Sequence, residues 1–192
     1  IYNKAAKDIN KSERAVGKVV VLACGYAGGV GAFNSMARAY GVTMTEERVQ
    51  ETIRKWRRAN PWATRFWSEL NAAAIDAVAN KGTIKTVGRL DFYCGAYGLL
   101  TMVLPSGRII CYPQARLTEV ETPNGGETEL SAIKANWRPK EGEREWPRVR
   151  LYGGLIAENA TQACAADILR EALVDLTELD WPVVGHVHDE LL

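Results

Sequence analysis

Two sets of residues in this 192-residue chain have the types and spacing to do chemistry. The first is His186-Val187-His188-Asp189-Glu190-Leu191-Leu192, which follows the β-branched run Pro182-Val183-Val184-Gly185. That run reads as a strand arriving at a turn. Asp beside Glu on a buried strand demands a partner, because an ionised carboxylate is costly to desolvate unless it is paired or metal-bound. Adjacent strand residues point to opposite faces, so one of the two acids faces any given site. His186 and His188 also stand at a metal-ligand spacing. The second set is Arg14, Lys18, Leu22 and Tyr26, at steps of four. On a helix each step advances about 40°, so the stripe drifts within roughly a third of the circumference and runs about 18 Å. An extended nucleoside triphosphate is of that length. Two fixed cations at the N-terminal end reinforce the positive end of the helix dipole, which suits phosphates, and the ring at the far end offers a base a stacking surface. A helix with two solvated cations and a buried tyrosine has the same spacing, so the stripe alone leaves both readings open.

The first half of the chain, which must position the cations, reads as helices. Asn10 with Glu13 fits a capping box, and apolar residues continue from Ala15 to Cys24. Gly25-Tyr26-Ala27-Gly28-Gly29-Val30-Gly31 would fray or end that helix, since glycine costs about 1 kcal/mol per helical position. A second helix is expected from about Ala32 to Tyr40, closed by Gly41. A third, capped by Thr43 with Glu46, runs to about Arg58. After Asn60-Pro61, a long amphipathic helix from Trp62 to Asn80 turns Trp67, Leu70, Ala74 and Ile75 inward. Character changes near Lys81-Gly82. Tyr97 to Leu104 and Arg108 to Tyr112 read as a hairpin around Pro105-Ser106-Gly107. Thr122 to Arg148 is polar and turn-rich, with Asn124-Gly125-Gly126 and Lys140-Glu141-Gly142-Glu143, and reads as a surface excursion. Glu158 to Leu176 is a strong helix, and Trp181 to Leu192 supplies a terminal strand and turn. The expected class is α+β, predominantly helical.

The composition, 47% hydrophobic and 24% charged, is that of a soluble globular protein long enough for one domain or two small lobes. A net charge of +1 excludes a global field for polyanions, so a nucleic-acid partner would have to meet local patches. Two exist: Lys4, Lys7, Lys11, Arg14 and Lys18, then Arg54, Lys55, Arg57 and Arg58. The four cysteines are scattered without a CxxC spacing, which argues against zinc, and Cys24 and Cys164 read as small buried thiols. No signal peptide is present and no apolar run reaches the roughly 18 residues that span a bilayer, so the expectation is a cytoplasmic, non-membrane setting. The chain opens on Ile1 rather than Met and stops within a strand, which suggests a piece of a longer polypeptide.

Arg14-x3-Lys18-x7-Tyr26 resembles the fingers helix of family A DNA polymerases, the bacterial DNA polymerase I type. His188-Asp189-Glu190 resembles that family's palm signature, and Gln162-Ala163-Cys164-Ala165-Ala166-Asp167-Ile168-Leu169 the helix before it. Tyr152-Gly153-Gly154 through Gln162, and Leu104-Pro105-Ser106-Gly107-Arg108, are similar to phage-type members. The resemblance covers residues 1 to 192, with Thr122–Arg148 weakest. It implies a fingers subdomain over residues 1–150, helical to about 82, and a partial palm over 151–192. The activity implied is nucleotidyl transfer from a dNTP to a primer 3′-OH by a two-metal mechanism, in a bacterial cell or phage-infected host. In such chemistry the protein contributes positioning and charge neutralisation. The resemblance makes Asp189 a ligand of two Mg²⁺ ions and Glu190 an auxiliary carboxylate. It places His188 at the primer terminus, Arg14 on the γ-phosphate, and Tyr26 at the nascent base pair. Lys18 would bind the triphosphate and is the candidate general acid to pyrophosphate. Gln162 would approach the duplex minor groove, where acceptors common to all base pairs permit a check of geometry.

The departures are specific. Tyr26-Ala27 stands where the family has Tyr-Gly, Leu22 where it often carries Phe or Tyr, and Glu158 where many members carry an amide. The family's second catalytic aspartate, on a strand before the fingers helix, has no match in residues 1–13. Asp91-Phe92-Tyr93 comes after that helix and is expected to lack the strand context. The remainder of the parent, with its thumb and Asp-bearing palm strand, would have to complete the metal site around primer-template DNA and dNTPs, and the chain alone is expected to be inactive. Two rivals remain: a non-enzymatic fragment that binds nucleotide or DNA, and a His-x-His metal-dependent hydrolase, for which the chain offers only two histidines.

Overall fold

The computed structural model describes residues 4–122 and 125–192. Its chain divides into two compact units, one of residues 1–72 with 152–157, the other of residues 73–151 with 158–192. Among the described residues five α-helices and three antiparallel sheets form an α+β architecture in which helix predominates.

After a 3-10 turn at Ala6–Asp8, α1 (Lys11–Cys24) starts on the expected capping box. Asn10 Oδ1 accepts from the Glu13 amide at 2.9 Å, and the Glu13 carboxylate accepts from the Asn10 amide at 3.1 Å. Lys4 adds an ion pair to Glu13 at 2.6 Å and, with the Asn10 amide, holds that carboxyl below the usual range. Val19, Val20, Ala23 and Cys24 form one buried stripe, packed with Phe33 and Ala37 of α2 (Val30–Ala39) and Val49 and Ile53 of α3 (Glu46–Ala59). The cap of α3 is Thr45, whose Oγ1 accepts from the Arg48 amide at 3.4 Å, rather than the expected Thr43 with Glu46. The shift leaves Glu46 and Glu47 in the first turn, where carboxylates complement the dipole. Pro61 opens α4 (Pro61–Ala79) at a position that tolerates its missing N–H. Trp67, Leu70 and Ala74 are buried as expected and Ile75 half-buried. Trp67 stacks on Trp56, ring centroids 6.0 Å apart.

In the second unit, β1 (Ile84–Val87), β2 (Leu90–Cys94), β3 (Leu100–Val103) and β4 (Ile109–Tyr112) form a meander in sequence order. The expected hairpin is its β3–β4 connection, closed by Gly107 at φ +81°. The first two strands were not expected, nor were Arg116–Thr122 and Arg148–Leu151 of the second sheet. Asp91-Phe92-Tyr93 lies inside β2, so the reading that it lacks strand context is corrected. A second sheet joins β5 (Arg116–Thr122), β6 (Gly125–Ile133) and β7 (Arg148–Leu151). Here too the surface-excursion reading gives way, because β6 runs nine residues through it and buries Leu130 and Ala132. Its outer half is solvated on both faces, which hides the alternation that marks a strand. Asn124, part of the expected turn there, lies outside the described residues. Helix α5 (Gly153–Glu178) starts five residues before the expected Glu158, and a short hairpin, β8 (His186–Val187) with β9 (Glu190–Leu191), follows.

Candidate functional site

Arg14 and Lys18 are exposed on the face of α1 opposite its buried stripe. With Ile9, Val21, Leu22 and Tyr40 they line a groove of about 730 Å³, within the roughly 300–1,000 Å³ of small-ligand sites. Glu13 also borders it, but its carboxylate is taken by Lys4 and the Asn10 amide. Among the described residues no carboxylate pairs with Arg14 or Lys18. The groove therefore holds two unneutralised cations beside an apolar wall in which Val21 and Leu22 stay exposed. That combination suits a polyanion carrying a flat apolar group.

Tyr26 does not extend the stripe. The helix stops at Cys24, and the half-buried Tyr26 sits in the turn beyond, within the same unit. Ala27 adopts φ +62°, the left-handed conformation that glycine takes without strain and that costs another residue about 1–2 kcal/mol. This is where the resembled family carries glycine. Two features hold the turn. Arg57 Nη2 donates to the carbonyls of Ala27 and Gly28, each at 3.3 Å. Gly154 allows the start of α5 to sit against it, since a Cβ there would lie 2.3 Å from the Tyr26 carbonyl oxygen. Gly153 makes a similar approach to the Trp67 backbone. Within the second basic patch, Arg57 is thus structural and Lys55 pairs with Glu51 at 2.8 Å. The glycine pair serves close approaches to Tyr26 and Trp67, positions far away in sequence, which no local signal marks.

His188 and Asp189 form the two-residue loop between β8 and β9, where Val187 faces Glu190. His188 takes φ +55°, a region where His is enriched and which tight hairpins use at loop positions. Residues 182–185 are not a strand, Val184 is 87% exposed, and residues 186–190 are all exposed. The expectation of buried acids is therefore corrected: in a sheet of only two short strands both carboxylates keep their water. Asp189 and Glu190 supply hard oxygen donors of the kind Mg²⁺ takes, one or two carboxylates with water and phosphate oxygens completing the shell. Among the described residues no cluster of three His, Cys, Asp or Glu side chains surrounds a metal position. The donors fit Mg²⁺ in type and fall short in number. His186 and His188 likewise find no third ligand.

Gln162 is exposed on α5, in a stretch fixed on both sides within the second unit. Asn159 Nδ2 donates to the Tyr112 hydroxyl at 3.1 Å. Asp167 accepts from Ser106 Oγ and from Arg108 Nε, both at 2.6 Å, and pairs with Arg170 at 2.6 Å. Arg108 Nη2 also reaches the Ala163 carbonyl at 2.7 Å. Ser106 and then Arg108 hold the Asp167 carboxyl below the usual aspartate range. The hairpin and the helix were both visible in sequence, but no local rule joins positions 61 apart. Of the thiols, Cys24 and Cys94 are the buried ones, with burial pushing both upward, while Cys164 is only half-buried.

The fold and groups together define an α+β chain that presents a cation-lined groove and a carboxylate-tipped hairpin. Compared with known proteins, it is 37% identical over 177 residues to a protein named DNA polymerase from Bacillus phage SP02. The match covers 92% of this chain and 26% of the relative, so the chain spans about a quarter of that relative's length. No protein-family model matches the chain, and no solved structure matches it. Among the described residues no helix is long and apolar enough to cross a membrane.

Proposed function

We propose that the chain is the fingers, residues 1–150, and part of the palm, residues 151–192, of a phage-type family A DNA polymerase. It would act in the cytoplasm of a bacterial or phage-infected cell, within a longer polypeptide that supplies the thumb and the second aspartate. The observation that carries this reading is the identity to a phage DNA polymerase sustained over 177 residues. The unneutralised Arg14–Lys18 pair and the solvated acids at the hairpin tip support it.

In this reading Arg14 fixes the γ-phosphate, and Lys18 binds the triphosphate and gives its proton to the departing pyrophosphate. Tyr26 meets the nascent base pair at a turn braced by Arg57 and Gly154. Gln162 touches the minor groove of the primer-template duplex, and His188 touches the primer terminus. Asp189, with Glu190 beside it, would hold Mg²⁺, which when bound neutralises phosphate charge and aligns the attacking and leaving oxygens. Each residue acts by charge and position, which is what phosphoryl transfer asks of a protein.

The test is Lys18→Ala in the complete polypeptide. The efficiency of dNTP incorporation should fall about ten- to a hundredfold, the worth of a lost hydrogen bond to a charged group, while primer-template affinity moves by about twofold or less. Equal loss of both would identify a plain basic face and overturn the assignment.

A further inference from the structure

Beyond the end of α1 the backbone carbonyls fall into two groups. Val21 accepts from the Gly25 amide at 2.9 Å, Cys24 from the Ala27 amide at 3.3 Å, and Gly29 from the Phe33 amide at 3.0 Å as α2 begins. The carbonyls of Ala27 and Gly28 receive no backbone amide among the described residues, and both accept from Arg57 Nη2 instead. Arg57 is held where it can do this. It stands in the last turn of α3, which is anchored by buried Ile53 and by the stack of Trp56 on Trp67. Asn60 Nδ2 donates to the Trp56 carbonyl at 2.8 Å and closes the same turn. A cation so placed meets the negative end of the α1 dipole and its outgoing carbonyls. Burial pushes the Cys24 thiol up and the Arg57 charge partly offsets this, which sets the guanidinium beside the last residue of α1. All these residues belong to one compact unit.

The two bonds fall on the strained residue and the one after it. Ala27 holds φ +62°, a conformation that alanine populates about five- to thirtyfold less readily than glycine. Without support the turn would relax toward other conformers, and Tyr26, one residue before, would move with it. Both bonds are long and Arg57 is exposed, so the contact adds little to global stability. Its effect is on the choice of conformer.

We propose that Arg57 is a positioning residue for the incoming nucleotide. By bridging the Ala27 and Gly28 carbonyls it supplies the bias that a glycine at 27 would need no help to provide, and so keeps Tyr26 where the nascent base pair forms. The proposal rests on the polymerase reading for the identity of what Tyr26 meets. It gives a residue of the second basic patch a role other than contact with a polyanion.

The test is a double-mutant cycle between Arg57→Met, which keeps the stem and removes the donors, and Ala27→Gly, which removes the strain. The first readout is the ring itself, in the 192-residue chain labelled with fluorotyrosine. The Tyr26 fluorine resonance is assigned by its loss in Tyr26→Phe. It should shift or broaden in R57M and, in A27G/R57M, return to where A27G alone places it. The second readout is single-nucleotide incorporation by the complete polypeptide. R57M should raise the KM for the correct dNTP about fivefold or more with primer-template affinity unchanged, and A27G/R57M should lie within about twofold of A27G. A resonance that R57M leaves unmoved, or a shift that A27G does not reverse, would overturn the proposal. So would an unchanged KM in an active enzyme, and so would a parallel loss of primer-template affinity, which would make Arg57 a DNA contact. No incorporation by the wild type, beside a resonance that behaves as predicted, would sink the polymerase reading and leave the clamp on Tyr26 standing.

Discussion

Asp167 and Asp189 are the same side chain put to opposite uses. Asp167 takes hydrogen bonds from Ser106, Arg108 and Arg170, so its charge is spent inside the fold. Asp189 stands in solvent at a hairpin tip, with no partner among the described residues, and its charge stays available to a cation. The difference predicts separable phenotypes. Asp167→Asn should lower the urea midpoint of the chain and flatten its acid limb. The sign follows from the bonds to the charged form. The folded carboxyl titrates below the unfolded value of about 3.9, so the stabilisation is complete above that pH and is lost as pH falls through the lower folded value. Urea titrations at a series of pH values check this, and an unchanged acid limb would remove Asp167 from the account. Asp189→Asn should leave the unfolding free energy within about 0.5 kcal/mol of wild type, as for exposed residues in general. A large loss would mean the hairpin acid is structural. The chemistry-bearing types were legible here because charge and spacing are local. The partners of Asp167 were not, because its bonds cross 59 and 61 positions.

At the level of elements, the ends of α1 set what its middle can present. Asn10→Ala removes the cap and should cost about 1 kcal/mol, read as a shift in thermal or urea unfolding. At the other end the Tyr26 turn is held by glycine. Gly154→Ala ought to gain up to about 1 kcal/mol from helix propensity alone, yet a Cβ 2.5 Å from Ala27 Cβ and closer still to the Tyr26 carbonyl should reverse the sign, for a net loss of about 1–3 kcal/mol. A stabilised Gly154→Ala chain would show that the turn is not packed as described. The capping box, the glycine closures and the β3–β4 hairpin could be read from sequence because each is a short motif with its own chemistry. The cap of α3 was misplaced by two residues because Thr43 and Thr45 both precede acids, and only geometry chooses between them. β1, β5, β6 and β7 were missed because charged and polar residues on solvated faces blur alternation, and β2, which does alternate, because it is only five residues long.

Across the whole molecule, the groups that the proposed function uses are divided between the units: a cation groove in the first, a carboxylate hairpin and the exposed Gln162 in the second. The acids lack further ligands among the described residues, and Arg14 and Lys18 bring no acid of their own. An α+β fold and the order of these groups were readable from the sequence. The exposure of the terminal hairpin was not, because β-branched residues such as Val183 and Val184 signal a buried strand whether or not a neighbour is there to provide it. The measurement that bears most directly on the account is primer extension by the complete polypeptide on a primed template with dNTPs and Mg²⁺, wild type against Asp189→Asn. Template-directed extension that Asp189→Asn abolishes, with primer-template binding retained, is the predicted result. Absence of extension by the wild type, or extension that Asp189→Asn leaves intact, would contradict it.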